Sequence, residues 1–451
     1  MENIIPKEKK NNNLCREELL NLDKDVLIEK VIQLQAHNLQ LKNIIRKSFS
    51  EKEKCETSSQ KKLQKPFDFS KCHYRRVLLQ VLYFGWDYQG LAEQENSNQT
   101  IEHHLFYALT TTCLIESRQN SNYHRSGRTD KGVSAFGQVI SISLRSRFPV
   151  DKQYTSEAIA NELPYCKILN RLLPDDIKAV AWIPIPEDNV EYSARFDCKK
   201  RLYKYYFPRS SLNIENMRIA AKSLVGSHDF RNLCKMDVGN GVVEFRRNLL
   251  EAEVLAVDEK DTIEPTSMFY LLIKGNAFLW HQIRCIMGVL LLVGEERESP
   301  SVVEELLNVE KNPRKPQYSM ALDVPLNLFH CTYDLCGDWV YDKEELGAVI
   351  AKLQHKWTLR TIQSTMYKDV INNLEAQYAS MCASEKTDNN ISESEKDRVI
   401  AYTDCLLEGI KPKVYKKLME RDTCSSLEER IKHYAKRRKL TKPEESNDQP
   451  E

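Results

Sequence analysis

Several things are scarce in this 451-residue chain. Its formal net charge is +1, so no global field draws in polyanions, and any basic surface must be local and offset elsewhere. None of its 13 cysteines belongs to a CxxC pair. The closest two, Cys331 and Cys336, have four residues between them and no complementary second pair, which does not fit zinc spacing. An odd number of scattered thiols suits a reducing compartment. The best apolar run, Cys285–Gly294, is far too short to span a bilayer, and MENIIPKEKKNNN lacks the pattern of a signal peptide. An intracellular protein outside the membrane, with no metal, is expected. A phosphate-cradling nucleotide loop is missing too. Gly132 and Gly137 have the GxxxxG spacing, but Gln138 and Val139 stand where Lys and Ser/Thr are needed; Gly85 and Gly90 fail in the same way.

What is present centres on Tyr123–Ile142, YHRSGRTDKGVSAFGQVISI. Gly127, Gly132 and Gly137 recur every five residues, so the backbone can bend sharply. Between and beside them stand Arg125, Arg128, Asp130 and Lys131. A strand pattern comes next, with Val139, Ser141 and Ser143 on one face and Ile140, Ile142 and Leu144 on the other. One carboxylate therefore rides a tight loop at the start of a strand. Nearby cations would keep it ionised and would also attract phosphate. Two readings fit these residue types: a reactive Asp130 in a phosphate-attracting loop, or a structural turn in which Asp130 accepts backbone hydrogen bonds.

Residues 1–14 are expected to be disordered. Over 15–47, Leu27, Val31, Leu34, Asn38, Leu41 and Ile45 repeat at alternating spacings of four and three. This is a heptad seam for a parallel two-stranded coiled coil, or one amphipathic helix packing on its own domain. Residues 48–70 are polar and aperiodic and read as a linker. Val77, Leu79, Val81 and Tyr83 begin a compact body, and Thr100 can cap the helix that carries Ile101, Leu105 and Leu109. Arg201–Phe207, RLYKYYF, places Tyr203, Tyr205 and Phe207 on one strand face beside Arg201 and Lys204. Such a row suits base stacking near phosphates, or an ordinary core. Phe278–Gly294, FLWHQIRCIMGVLLLVG, has helical length and should be largely buried. Arg284 inside it needs a carboxylate partner, either a structural one or Asp130 itself. Ser301 and Glu304 make a capping box. Past Tyr341 the pattern turns helical, with a polar insert at Ser384–Lys396. Lys436-Arg437-Arg438-Lys439 is a nuclear address, an RNA contact or a solvated helix end.

Strands and helices alternate twice. The pattern predicts an α+β fold of two related halves, 71–210 and 211–341, that form a largely antiparallel sheet flanked by helices, with a central cleft and a helical extension over 342–451. A cleft between the halves would gather Asp130, Tyr203 and Arg284.

Four ordered motifs then carry a resemblance across about residues 75–335. GRTDKGVSA (Gly127–Ala135) resembles the signature of the TruA family of tRNA pseudouridine synthases. RLYKY (Arg201–Tyr205), FLWHQIRCIMG (Phe278–Gly288) and YFGWDYQG (Tyr83–Gly90) are similar to that family's other motifs. SNYHRSGRTDKGVSAFGQVIS, SHDFRNLCKMD and KNPRKPQYSMA are similar to the eukaryotic branch that modifies positions 38 and 39 of the tRNA anticodon arm. Leu91-Ala92-Glu93-Gln94 departs from the Trp-Gln-x-Gln of bacterial members, as the eukaryotic branch does. The resemblance implies isomerisation of uridine within tRNA, without cofactor or metal, by a homodimer in the nucleus, the cytoplasm or both. It makes Asp130 the nucleophile, with Arg284 keeping it ionised and Tyr203 stacking on the target base. Arg128 would fill the vacated stack or hold the flipped phosphate, and Lys131 would join the substrate contacts. A tRNA-binding or folding protein without chemistry, and a coiled-coil scaffold, are the alternatives.

Overall fold

In the computed structural model the described residues are 67–189, 191–335, 337–385, 402–409 and 414–441. The heptad stretch 15–47, the linker up to residue 66 and the polar insert from 386 lie outside them. The chain divides after Asp68, and the sheet and the cleft belong to the unit that begins at Phe69.

Nine strands form one sheet in the order β4-β1-β3-β9-β5-β8-β7-β6, with the short β2 (His124–Arg125) on β3. In the first half, β1 (His73–Tyr83) lies between β3 (Ser134–Ser146) and β4 (Ile177–Pro184). In the second, β5 (Cys198–Pro208) lies between β8 (Met268–Gly275) and β9 (Leu326–Tyr333), followed by β7 (Arg246–Ala256) and β6 (Gly226–Asp229). Hydrogen bonding thus puts β5 with the second half, although the sequence boundary at 210 left it in the first. Every pairing is antiparallel except one. β3 and β9 run parallel, matching Ser134 with Asn327 and Ala135 with Leu328. That seam joins the halves, and Asp130 stands four residues ahead of Ser134.

The helices cover the sheet. α1 (Ile101–Thr111) is capped as expected, with Thr100 Oγ1 accepting from His103 N at 3.3 Å. α2 (Ser156–Ala160) and α3 (Tyr165–Asn170) are short. α4 (Ile214–Lys222) ends four residues before Gly226 and packs on α5 (Gln282–Gly294). All of α5 is buried, as its composition requires. The capping box expected for α6 (Val302–Leu307) does not form. Ser301 is already helical in its backbone and its hydroxyl donates to Ser299 Oγ at 3.0 Å, while Glu304 accepts from the Ser223 hydroxyl at 3.0 Å.

The extension beyond Tyr333 returns to both halves. Val340 pairs with Trp182 on the outer edge of β4, so that edge is covered. α7 (Lys343–Glu385) then docks by Lys352 on Asp175, Lys356 on Asp176 and Arg360 over the Trp86 ring. At 43 residues it is about 65 Å long, and its outer part is exposed. Leu406, Leu418 and Leu427, the last at the start of α8 (Leu427–Thr441), are buried. Leu407 bridges Ala321, and Thr423 bridges Pro316.

Candidate active site

The Asp130 loop is built from close backbone contacts. A Cβ on Gly85, in the YFGWDYQG turn, would collide with the Val133 carbonyl oxygen. Only glycine lets that turn press against the Asp130 loop. Gly132 has φ +76°, and a Cβ there would lie 2.7 Å from Asp323 Cγ. Beneath the loop runs a buried polar network. Tyr83 OH meets Thr129 Oγ1 at 2.8 Å; Gln138 Nε2 donates to the Gly127 carbonyl at 3.0 Å, and its other end accepts from Ser126 Oγ. Arg201 donates through Nη2 to the Ser126 carbonyl at 2.7 Å and to the Arg195 carbonyl at 2.9 Å. Arg201 is therefore a buried brace for the loop rather than a phosphate contact. Lys204 sits over the Tyr270 and Phe329 rings at 4.5 and 4.0 Å.

The loop faces a cleft of about 1610 Å³ lined by Asp130, Tyr203, Arg128 and Arg284, among others. Four of the five expected site residues are thus brought together. Lys131 is not: it is exposed and absent from the lining. The lining holds seven arginines (118, 125, 128, 195, 201, 247 and 284) against Asp130 and Asp237. Arg118 and Arg125 are both paired with the buried Glu102, whereas Arg128 and Arg195 are exposed. The surplus makes the cleft an anion-attracting one.

Tyr203 is placed by register. It pairs with Ile273 on β8 and Leu328 on β9, and Leu328 in turn pairs with Ala135 on β3. Two strand spacings, about 10 Å, therefore separate β5 from the start of β3. The Tyr203 ring meets Phe278 edge-on at 5.1 Å. Burial raises its phenol far above the ordinary value, so it is neutral at pH 7. Tyr205 and Phe207, from the same face, are fully buried core residues.

Asp130 has two close neighbours that the motifs alone did not single out. Trp280 Nε1 donates to Oδ1 at 3.3 Å, and His281 Nε2 lies 3.3 Å from Oδ2. Both stand just before α5, where the chain turns through a left-handed His281 with φ +57°. That turn swings the two side chains toward the loop. Burial, with Arg284, Lys235 and Lys315 nearby, lowers the His281 pKa to about 4. The imidazole is thus neutral at pH 7, so its approach to Asp130 is not an ion pair.

The Asp130 carboxyl shifts in the direction opposite to the one its basic neighbours suggest. Burial is the largest influence and raises its pKa; Arg284, the Trp280 hydrogen bond and Lys235 act the other way, while Asp323 adds to the rise. The loop's own cations do not decide the matter, because Arg125 is held by Glu102 and Lys131 lies outside the cleft lining. The result is a carboxylate more basic than usual in the wall of the cleft. Arg284 does act on it, but its bonded partners are elsewhere: Nε donates to the Ala321 carbonyl at 2.8 Å, and Nη2 is paired with Glu408. The structural salt bridge is therefore the one formed. Among the described residues no three His, Cys, Asp or Glu side chains are grouped to hold a metal ion, and no helix is long and apolar enough to cross a membrane.

A basic carboxylate and a neutral phenol lining one arginine-rich cleft in a two-halved sheet mark an enzyme that works on a polyanionic substrate. Comparison with known proteins narrows this. Residues 220–334 match a family described as tRNA pseudouridine synthase. The chain is 43% identical to a Mus musculus protein named tRNA pseudouridine(38/39) synthase, over 95% of this chain and 89% of the relative. A Homo sapiens protein of the same name is 45% identical over 85% of this chain and 81% of its own length. A Saccharomyces cerevisiae one is 36% identical, over 78% and 81% respectively. The chain belongs to the TruA family of tRNA pseudouridine synthases, and it is an isomerase.

Proposed function

We propose that the protein converts uridine to pseudouridine at positions 38 and 39 of the tRNA anticodon arm, with Asp130 as the nucleophile. The names of the relatives support the target positions. The observation that carries the assignment of Asp130 is its carboxylate in the cleft, held by Trp280 and His281 and flanked by Tyr203 and Arg284. In the reaction the N1–C1′ bond breaks, the base turns, and a C5–C1′ bond forms. The C5 proton leaves and N1 gains one, so the product is an isomer. Asp130 assists at the sugar or base while ionised. Tyr203, which lines the cleft, stacks on the base, which must first leave its stacked arm. Arg128, exposed and lining the cleft, fills the vacated place or holds the displaced phosphate.

Asp130→Asn tests this. Pseudouridine formation on transcript tRNA should vanish, while tRNA binding stays within about threefold, because the lining arginines that supply phosphate affinity are untouched. Parent-level product from the variant would remove the assignment.

A homodimer is part of the same proposal. The outer part of α7 presents Leu359, Ile362, Met366, Val370, Leu374 and Met381 to solvent at helical spacing, a stripe suited to a second copy. Sedimentation at micromolar concentration should give a dimer, and a monomer would refute it. Work in the nucleus, the cytoplasm or both is consistent with a tRNA substrate.

A further inference from the structure

The fold gives Arg284 two bonded partners, and both are unrelated to the loop that carries Asp130. One is the Ala321 carbonyl, reached from Nε at 2.8 Å. The other is Glu408, on the extension beyond α7. We propose that Glu408 is a positioning residue of the isomerase: it clamps the Arg284 guanidinium beside Asp130, so that the C-terminal extension completes the active site. The inference rests on the reading of Asp130 above.

Glu408 is held from both sides of its own backbone. Its N–H donates to the Met320 carbonyl at 3.0 Å, and Leu322 N donates to the Leu406 carbonyl at 2.7 Å. Leu406 is buried in the core, and Leu407 bridges Ala321. The strip 320–322 that receives this clip is itself fixed to α5. Ala321 N donates to the Arg284 carbonyl at 3.0 Å, and a Cβ on Gly288 would lie 2.6 Å from the Ser319 carbonyl oxygen. The extension, the strip and α5 are therefore one packed unit, and Glu408 is delivered to Arg284 by backbone geometry.

Two contacts at different guanidinium nitrogens fix the plane of the group as well as its position. Arg284 is 4% exposed and needs a carboxylate. Asp130 does not fill that need, since its oxygens face Trp280 and His281. Asp130 is faced by Arg284 and His281 from the α5 segment, by Lys235 after β6, by Asp323 before β9 and by the Tyr203 phenol on β5. Glu408 acts on it through Arg284. Arg284, Asp323 and Glu408 also share the surroundings of the fully buried Tyr205 hydroxyl, which has no hydrogen-bond partner among the described residues. With the Glu408 charge removed, the Arg284 charge acts on Asp130 unopposed, and Asp130 is held ionised to lower pH.

The test uses the full chain and single-turnover pseudouridine formation on transcript tRNA across pH, for Glu408→Ala and Glu408→Gln, with Asp130→Asn as reference. Glu408→Ala frees the guanidinium. Its rate should fall about ten- to a hundredfold, as for a displaced catalytic group, with tRNA affinity within about threefold. Glu408→Gln keeps an acceptor in place. It should recover part of that loss and move the acid limb of the profile to lower pH. A purely structural counter-ion would not move that limb. Parent rates and an unmoved limb in both variants would overturn the proposal; if Glu408→Ala fails to fold, the Gln limb alone decides. Activity in Asp130→Asn would instead remove the nucleophile assignment, a separate failure.

Discussion

Arg284→Ala probes the point where packing and chemistry meet. The substitution deletes two buried methylenes, worth about 1.5 kcal/mol. It strips the fully buried Ala321 carbonyl of a side-chain donor, which costs about 1–3 kcal/mol. Glu408 adds little, because its side chain is 39% exposed and can rehydrate once the partner leaves. Relief of the guanidinium's own desolvation offsets part of the loss, leaving a net destabilisation of roughly 2–4 kcal/mol. Unfolding entropy of about 2.1 cal/mol/K per residue turns that into a fall of roughly 3–5 °C for a body of several hundred residues. The same change has an electrostatic signature. Arg284 is the largest influence lowering the Asp130 pKa, so its removal raises that pKa further. Activity that needs the ionised acid is lost as pH falls through this pKa, so the acid limb should move to higher pH. Thermal melting and a single-turnover pH profile measure the two effects. A melting curve superimposable on the parent's would refute the burial of Arg284 as a source of stability, and an unmoved limb would refute the coupling to Asp130.

Gly132→Ala should be destabilising by about 1–2 kcal/mol from the left-handed backbone alone, before Asp323 is displaced. Gly127→Ala, whose nearest neighbour would be Arg201 Nε at 3.9 Å, should melt close to the parent; equal melting of the two would contradict the packing described. Trp280→Phe removes a donor to Asp130 and should move the acid limb to higher pH while tRNA binding persists, which a pH profile with a binding titration checks. Asp130→Asn should melt above the parent at neutral pH. A carboxyl raised by burial stabilises the fold only while protonated, below its unfolded value, and that contribution is lost as pH rises through the folded one.

The loop Gly127–Ala135 was legible because glycine spacing and charge are local signals, and the strands were legible from alternation. RLYKYYF was half legible: alternation put three aromatics on one face, but only Tyr203 reaches the cleft, while Tyr205 and Phe207 further along β5 are fully buried. Trp280 and His281 sat inside a recognised motif and were still missed. The stretch reads as one continuous helix, whereas the helix begins at Gln282, after the left-handed turn at His281. A polar break in an apolar run was the signal that marked them. Asp323 and Glu408 leave no local trace, and Lys235 sits in SHDFRNLCKMD without that stretch pointing to Asp130. Each is set by contacts between distant segments, and periodicity does not encode these.

The clip at 406–408 bears on the order in which the enzyme comes into being. A ribosome releases the Asp130 loop and Arg284 first, and Glu408 follows Arg284 by 124 residues. A nascent or prematurely terminated chain can therefore carry the acid, the phenol and the arginine-lined groove without the arrangement that couples them. The geometry of the site therefore depends on the clip: only a polypeptide made past it gathers all of these groups in one place.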